Sequence, residues 1–133
     1  MSWRAEGTPR LSPGLYLNMP TGKRHCSFHS PALQLGVRET ARSLQRLDTL
    51  WCCNLKPTGC SEVTRALNIV STMCSNRADK VLCLPCWKVG DAIMDIAENC
   101  AKTAGGLAKS EGKVRFAQDN WWIDVNAFRW RQA

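Results

Sequence analysis

No apolar run in this chain approaches the ~18 residues that a membrane-spanning helix requires. That excludes a helical span within the 133 residues. Histidine is scarce: the only two, His25 and His29, lie near the N-terminus. A cysteine or serine nucleophile elsewhere in the chain therefore lacks the base that would activate it. There is no glycine-rich phosphate loop. A glycosidase needs two carboxylates flanking the scissile bond, whereas Asp91, Asp95 and Glu98 fit the solvated face of a helix. These absences argue against an enzyme and against a bound cofactor. The start, Met-Ser-Trp-Arg-Ala-Glu-Gly-Thr-Pro-Arg, also lacks the apolar core of roughly 7–15 residues that marks a secretory leader. Its best apolar patch, Leu15-Tyr16-Leu17, is too short.

The length suits one domain, and an apolar share of 44% is that of a folded chain rather than a disordered one. Eighteen basic against eleven acidic residues give a net charge of +7. The excess is spread thinly, with Lys23-Arg24 the only adjacent basic pair. A dedicated nucleic-acid site is not expected. A mildly basic surface instead favours anionic partners in general: cell walls, acidic glycans or lipid headgroups.

What the sequence has in excess is cysteine, eight residues, of which seven fall between Cys52 and Cys100. Such density belongs either to a disulfide-stapled secreted protein or to a thiolate metal site. Cys83 and Cys86 have zinc-ligand spacing, but a structural site needs a second pair of the same form. Cys52 and Cys53 are adjacent, and Cys60 and Cys74 stand alone. A thioredoxin-like redox pair would follow a strand, and no strand pattern precedes Cys83. Disulfides, and hence an extracellular location, are the better fit. No metal is expected.

Residues 1–33 hold four of the six prolines and have no periodicity, which predicts a flexible N-terminal arm. Residues 34–133 are expected to form a single cysteine-rich α+β domain. Val37, Ala41, Leu44, Leu47 and Trp51 recur at helical spacing and predict an amphipathic helix over 35–51. Ser61 is a fair N-cap for a second helix, with Val63, Leu67, Val70 and Cys74 as its buried stripe. Asp91 is placed to cap a third, with Ile93, Ile96, Ala97 and Cys100 inward and Gly105-Gly106 as its stop. After the double glycine the period changes to two. Residues 113–116 and 122–125 alternate polar and apolar, predicting two strands joined at Asp119-Asn120.

This layout predicts disulfide partners. Along a helix Cys60 and Cys74 would lie roughly 20 Å apart and could not bond. In an antiparallel helix pair Cys60 faces Cys100, and Cys74 faces Cys83 or Cys86. Cys26 then reaches Cys52 or Cys53, and the remaining vicinal cysteine takes the remaining member of the Cys83/Cys86 pair.

Six tryptophans are many for this length. Adjacent Trp121 and Trp122 on a strand would point to opposite faces, so one ring can fill the core while the other is exposed. An exposed indole beside Asp119, Asn120 and Asp124 has the chemistry of a sugar site, an apolar face for C–H groups and carboxylate or amide groups for hydroxyls. The plainer alternative is that both rings pack and Asp119-Asn120 is only a turn.

The order of these features is a helix ending near Cys100, then Gly105-Gly106, Gly112-Lys113-Val114-Arg115-Phe116 and Asn120-Trp121-Trp122-Ile123-Asp124-Val125. It resembles small secreted cysteine-rich proteins of fungi, a group that includes killer-toxin-like and effector-like proteins and a mushroom glycan-binding lectin family. The likeness covers about residues 52–126. It implies a disulfide-stapled α/β sandwich, two or three helices packed on a small antiparallel sheet. It also implies an extracellular, non-catalytic protein that binds a carbohydrate or another cell-surface or cell-wall ligand. Two other readings remain at this level: an intracellular zinc-stabilised interaction module, and a membrane-active toxin using basic charge and exposed tryptophan.

Overall fold

The computed structural model describes residues 2–3, 22–56, 58–66, 68–76, 81–118 and 121–130. Two helices are present among them, α1 (Gln34–Gln45) and α2 (Cys86–Asn99). Eleven strands make up most of the remainder. A six-stranded antiparallel sheet runs in the order β1 (Ser2–Trp3), β5 (Gly59–Ala66), β6 (Ile69–Ser75), β11 (Trp121–Arg129), β10 (Gly112–Gln118), β2 (Lys23–Cys26). A three-stranded sheet joins β3 (Ala32–Leu33), β9 (Leu107–Ser110) and β8 (Ala101–Ala104), and β4 (Trp51–Asn54) pairs with β7 (Leu82–Pro85). The expected sandwich of two or three helices on a small sheet is therefore wrong. Among the described residues the protein is mostly β, with several antiparallel sheets and two helices.

The error lies in residues 61–75. Val63 and Val70 are spaced as on a helix, but the chain reverses between them into the β5–β6 hairpin. Asn68 takes the left-handed turn conformation, φ +64°, which asparagine tolerates better than most residues. Val63, Thr64, Ile69, Val70 and Thr72 are β-branched, and they suit a pleated, half-buried surface. The hairpin sets Cys60 directly opposite Cys74, and the two are bonded, with Cα atoms 3.9 Å apart.

The other bridges are Cys26–Cys100, Cys52–Cys86 and Cys53–Cys83. Cys60–Cys100 and a link from Cys74 to Cys83 or Cys86 do not form, because they assumed a helix that is absent. Neither vicinal cysteine reaches Cys26. Both turn to the Cys83/Cys86 pair, since alternation on β4 aims Cys52 and Cys53 in opposite directions. All eight cysteines are bonded, which leaves no thiolate for zinc.

The two helices carry the apolar stripes read from the sequence, with Val37, Ala41 and Leu44 buried on α1 and Ile93, Ile96 and Ala97 on α2. α1 stops at Gln45 rather than at Trp51, which begins no helix turn but β4. α2 starts at Cys86, five residues before Asp91. Gly105 and Gly106 (φ +61° and +81°) form the β8–β9 hairpin turn instead of a helix stop, because a tight two-residue hairpin demands positive φ at both positions. The helices touch at Gly90, where a Cβ would stand 2.8 Å from the Ala41 carbonyl oxygen. Arg38 reaches across to Glu98 with two hydrogen bonds of 3.1 and 2.8 Å. Those bonds hold the exposed Glu98 carboxyl below the usual carboxylate range.

The helix pair packs on one face of the six-stranded sheet. The core holds Met73, Phe116, Ile123 and Val125 from the sheet with Leu44, Ile93 and Ile96 from the helices. On the same inward face Thr64 and Ser71 stand opposite each other, both buried, and neither hydroxyl has a hydrogen-bond partner among the described residues. A buried unpaired hydroxyl loses water for nothing. Thr64→Val and Ser71→Ala are each expected to raise stability by about 1 kcal/mol. Thermal unfolding would show this as a midpoint a few degrees higher, and a lower midpoint would mean that the hydroxyl is satisfied.

Candidate functional site

Side chains alternate along a strand, so β10 and β11 deliver one set of residues to the helices and another to the opposite, outward face. Val114, Phe116, Trp121, Ile123 and Val125 go inward and are buried. Lys113, Arg115, Trp122, Asp124 and Asn126 go outward. Strand register then builds two rows across the outward face. One runs Lys23, Arg115, Asp124, Cys74, Cys60; the next runs His25, Lys113, Asn126, Thr72, Glu62.

Trp121 and Trp122 thus occupy opposite faces, Trp121 in the core and Trp122 half-buried on the outward side. Asp124 faces outward with Trp122 but is only 6% exposed. Asp119 and Asn120 lie outside the described residues. The structure therefore groups Trp122 with Asp124 and separates both from the Trp121 ring.

Arg115 organises that group. Its Nε and one terminal nitrogen donate to the two carboxylate oxygens of Asp124 at 2.8 and 3.0 Å. Lys113 adds a longer contact of 3.9 Å. These bonds to Asp124 raise the Arg115 pKa above its ordinary value. The same guanidinium stands 4.9 Å from the centre of the Trp122 ring, within cation–π range. Asp124 is consequently engaged as a counter-ion, and one face of the Trp122 indole is occupied. Asn76 fixes the backbone here by accepting from the Trp122 N–H at 2.8 Å. Farther along the face the Arg65 guanidinium pairs with Glu62 and lies 4.1 Å from the Trp130 ring centre.

Beside the second row is a recess of about 300 Å³ lined by His25, Ser27, Glu111, Lys113, Asn126 and Phe128. It is at the small end of ligand-site volumes, roughly 300–1,000 Å³. One Glu111 carboxylate oxygen accepts the backbone N–H groups of His29 and Ser30 at 2.5 and 2.6 Å, which fixes the wall. Lys23 and His25 make no ion pair among the described residues. The recess offers an ammonium, an imidazole, an amide and an aromatic ring on one surface. That set can hold a hydroxylated anion: charge for the anion, amide and carboxylate for hydroxyls, ring for C–H groups.

His25, Lys113, Asn126 and Phe128 escaped the sequence reading. Alternation along β11 already puts Asn126 and Phe128 on the face of Asp124, and that signal was available. The arrival of Lys23 and His25 was not, because they come from a distant segment through the β2–β10 pairing. Among the described residues no group of three or more His, Cys, Asp or Glu is placed to hold a metal ion. No known protein family, curated protein or solved structure matches the chain, and the site stands on its own chemistry.

Proposed function

We propose that this is a non-catalytic, disulfide-stapled binding protein of the extracellular space that takes an acidic carbohydrate on the outward face of its large sheet. The observation that carries the reading is a recess lined by His25, Lys113, Asn126 and Phe128, with Lys23 in the neighbouring row of the same face. The two rows hold Lys23, Arg115 and Lys113 against Asp124 and Glu62; Asp124 is engaged by Arg115 and Lys113, and the Glu111 carboxylate in the recess wall is engaged by two backbone N–H groups. Four disulfides support the compartment, since they persist in oxidising surroundings. The likeness to small secreted fungal proteins, killer-toxin-like, effector-like or lectin-like, points the same way. Trp122 contributes the free side of its indole at the margin of the site.

The test is binding to a uronic-acid polysaccharide and to an uncharged glucan, measured by affinity electrophoresis or calorimetry. The acidic polymer is expected to bind, with affinity falling as salt rises. Lys23→Ala combined with Lys113→Ala is expected to weaken it at least about tenfold, which is ~1.4 kcal/mol. Trp122→Ala is expected to have a smaller effect. Equal binding of the charged and neutral polymers, or no binding to either, refutes the reading.

A further inference from the structure

A second concavity, on the other side of the large sheet, has a different chemistry. It measures about 640 Å³ and lies where the start of α1 meets β3, β9 and the ends of β6 and β11. Its walls are mainly aliphatic. Leu33, Leu35 and Leu107 line it and are 48%, 72% and 54% exposed, and they make up half of the six large apolar side chains exposed among the described residues. Gathering exposed leucines at one cleft is unlike the scattered singles of an ordinary surface. Ile69 forms part of the wall, and at Gly36 a Cβ would stand only 2.1 Å from the Ile69 Cδ1 atom. The absent side chain at Gly36 therefore keeps Ile69 seated there.

The charge at this cleft is one-sided. Lys109 and Arg129 line it and neither pairs with a carboxylate among the described residues. The one acidic lining residue, Glu39, is bound to Arg42 at 2.8 Å. An apolar cleft of small-molecule size with two uncommitted cations fits one kind of occupant: a long alkyl chain ending in a carboxylate. The chain covers the leucines, and Arg129 with Lys109 meets the head group, the guanidinium by the bidentate geometry that suits carboxylates.

We infer that this cleft binds a free medium-chain fatty acid, at a site separate from the outward face. The test is calorimetric titration of the disulfide-intact protein with laurate, dodecanol and dodecyltrimethylammonium, below their micelle concentrations. One laurate per chain is expected, bound at least about tenfold more tightly than the cation of the same tail. Arg129→Gln with Lys109→Gln is expected to remove most of that preference and to leave dodecanol binding unchanged. Leu35→Glu, an exposed position that should not disturb folding, is expected to abolish all three. No laurate binding, or equal binding of laurate and the ammonium tail, overturns the inference. So does concentration-dependent dimerisation that Leu35→Glu removes without any laurate uptake, which would make the cleft a contact between two copies. Binding of uronic-acid polymer is expected to survive all of these substitutions, so the two sites fail independently.

Discussion

Replacing Cys26 and Cys100 together by serine is expected to cost about 4 kcal/mol of stability, the largest loss from removing any one of the four bridges. In the chain-entropy account a disulfide restricts the unfolded chain, and the restriction grows with the loop it closes. Cys26–Cys100 spans 74 residues of sequence, against 34, 30 and 14 for the others. The same account gives about 3 kcal/mol for Cys60–Cys74, so the two double-serine variants should differ by more than ~1 kcal/mol. The native state leads to the same order. Cys60–Cys74 repeats a contact that the β5–β6 hairpin already makes. Cys26–Cys100 ties β2, an edge strand, to the residue that ends α2. Without it β2 is held chiefly by its ladder to β10, with the exposed Arg24–Asp95 pair at 2.8 Å beside it, and such pairs contribute little. Denaturant midpoints measure the difference, and a larger loss from the Cys60/Cys74 variant would show that loop length does not govern these bridges. Function should follow, because β2 carries Lys23 and His25. The Cys26/Cys100 variant is expected to lose affinity for acidic polysaccharide while still folded, and the Cys60/Cys74 variant is not.

These bridges also show where a sequence stops being readable. The stripes of α1 and α2 and the alternation of β10 and β11 are local periodicities, each set by which side of one element meets the core. Those elements were legible. Residues 61–75 include five β-branched residues, and the spacing of Val63, Leu67, Val70 and Cys74 satisfies a helix until the reversal near Asn68 is known. Only then do Cys60 and Cys74 become neighbours, so one misread element misassigned their partners and, by elimination, the rest. Gly105-Gly106 failed for a related reason: a helix stop and a hairpin turn use the same left-handed glycine conformation. At the candidate site, Trp122 and Asp124 share a face by alternation alone. The ligation of Asp124 by Arg115 depends on cross-strand register, and the presence of His25 beside Lys113 depends on a pairing between distant segments. Local patterns contain neither.

Arg115 and Asp124 should respond unequally to removal, and the asymmetry tests how the outward face is built. Arg115→Ala leaves the Asp124 carboxylate, 6% exposed, without its two short hydrogen bonds. Breaking a fully buried pair in this way costs roughly 3–5 kcal/mol. Here Lys113 remains at 3.9 Å and the Arg115 side chain is itself 38% exposed, so the expected loss is smaller, about 2–3 kcal/mol. Asp124→Asn strands only cations that water can reach, and its expected loss is below about 1 kcal/mol. The double variant Arg115→Ala/Asp124→Asn should then be more stable than Arg115→Ala alone, a non-additivity that a double-mutant cycle in urea measures directly. Equal single losses that simply add would mean that Asp124 is solvated and the pair is ornamental. Binding gives a second readout of the same geometry. Arg115 covers one face of the Trp122 ring, and its removal bares that face while subtracting a positive charge. The Arg115→Ala protein, still folded at low temperature, should therefore bind acidic polysaccharide less tightly and uncharged sugar no less tightly than the parent. Arg115→Lys keeps the charge but not the bidentate fork, so it should restore acidic-polymer binding more fully than it restores stability.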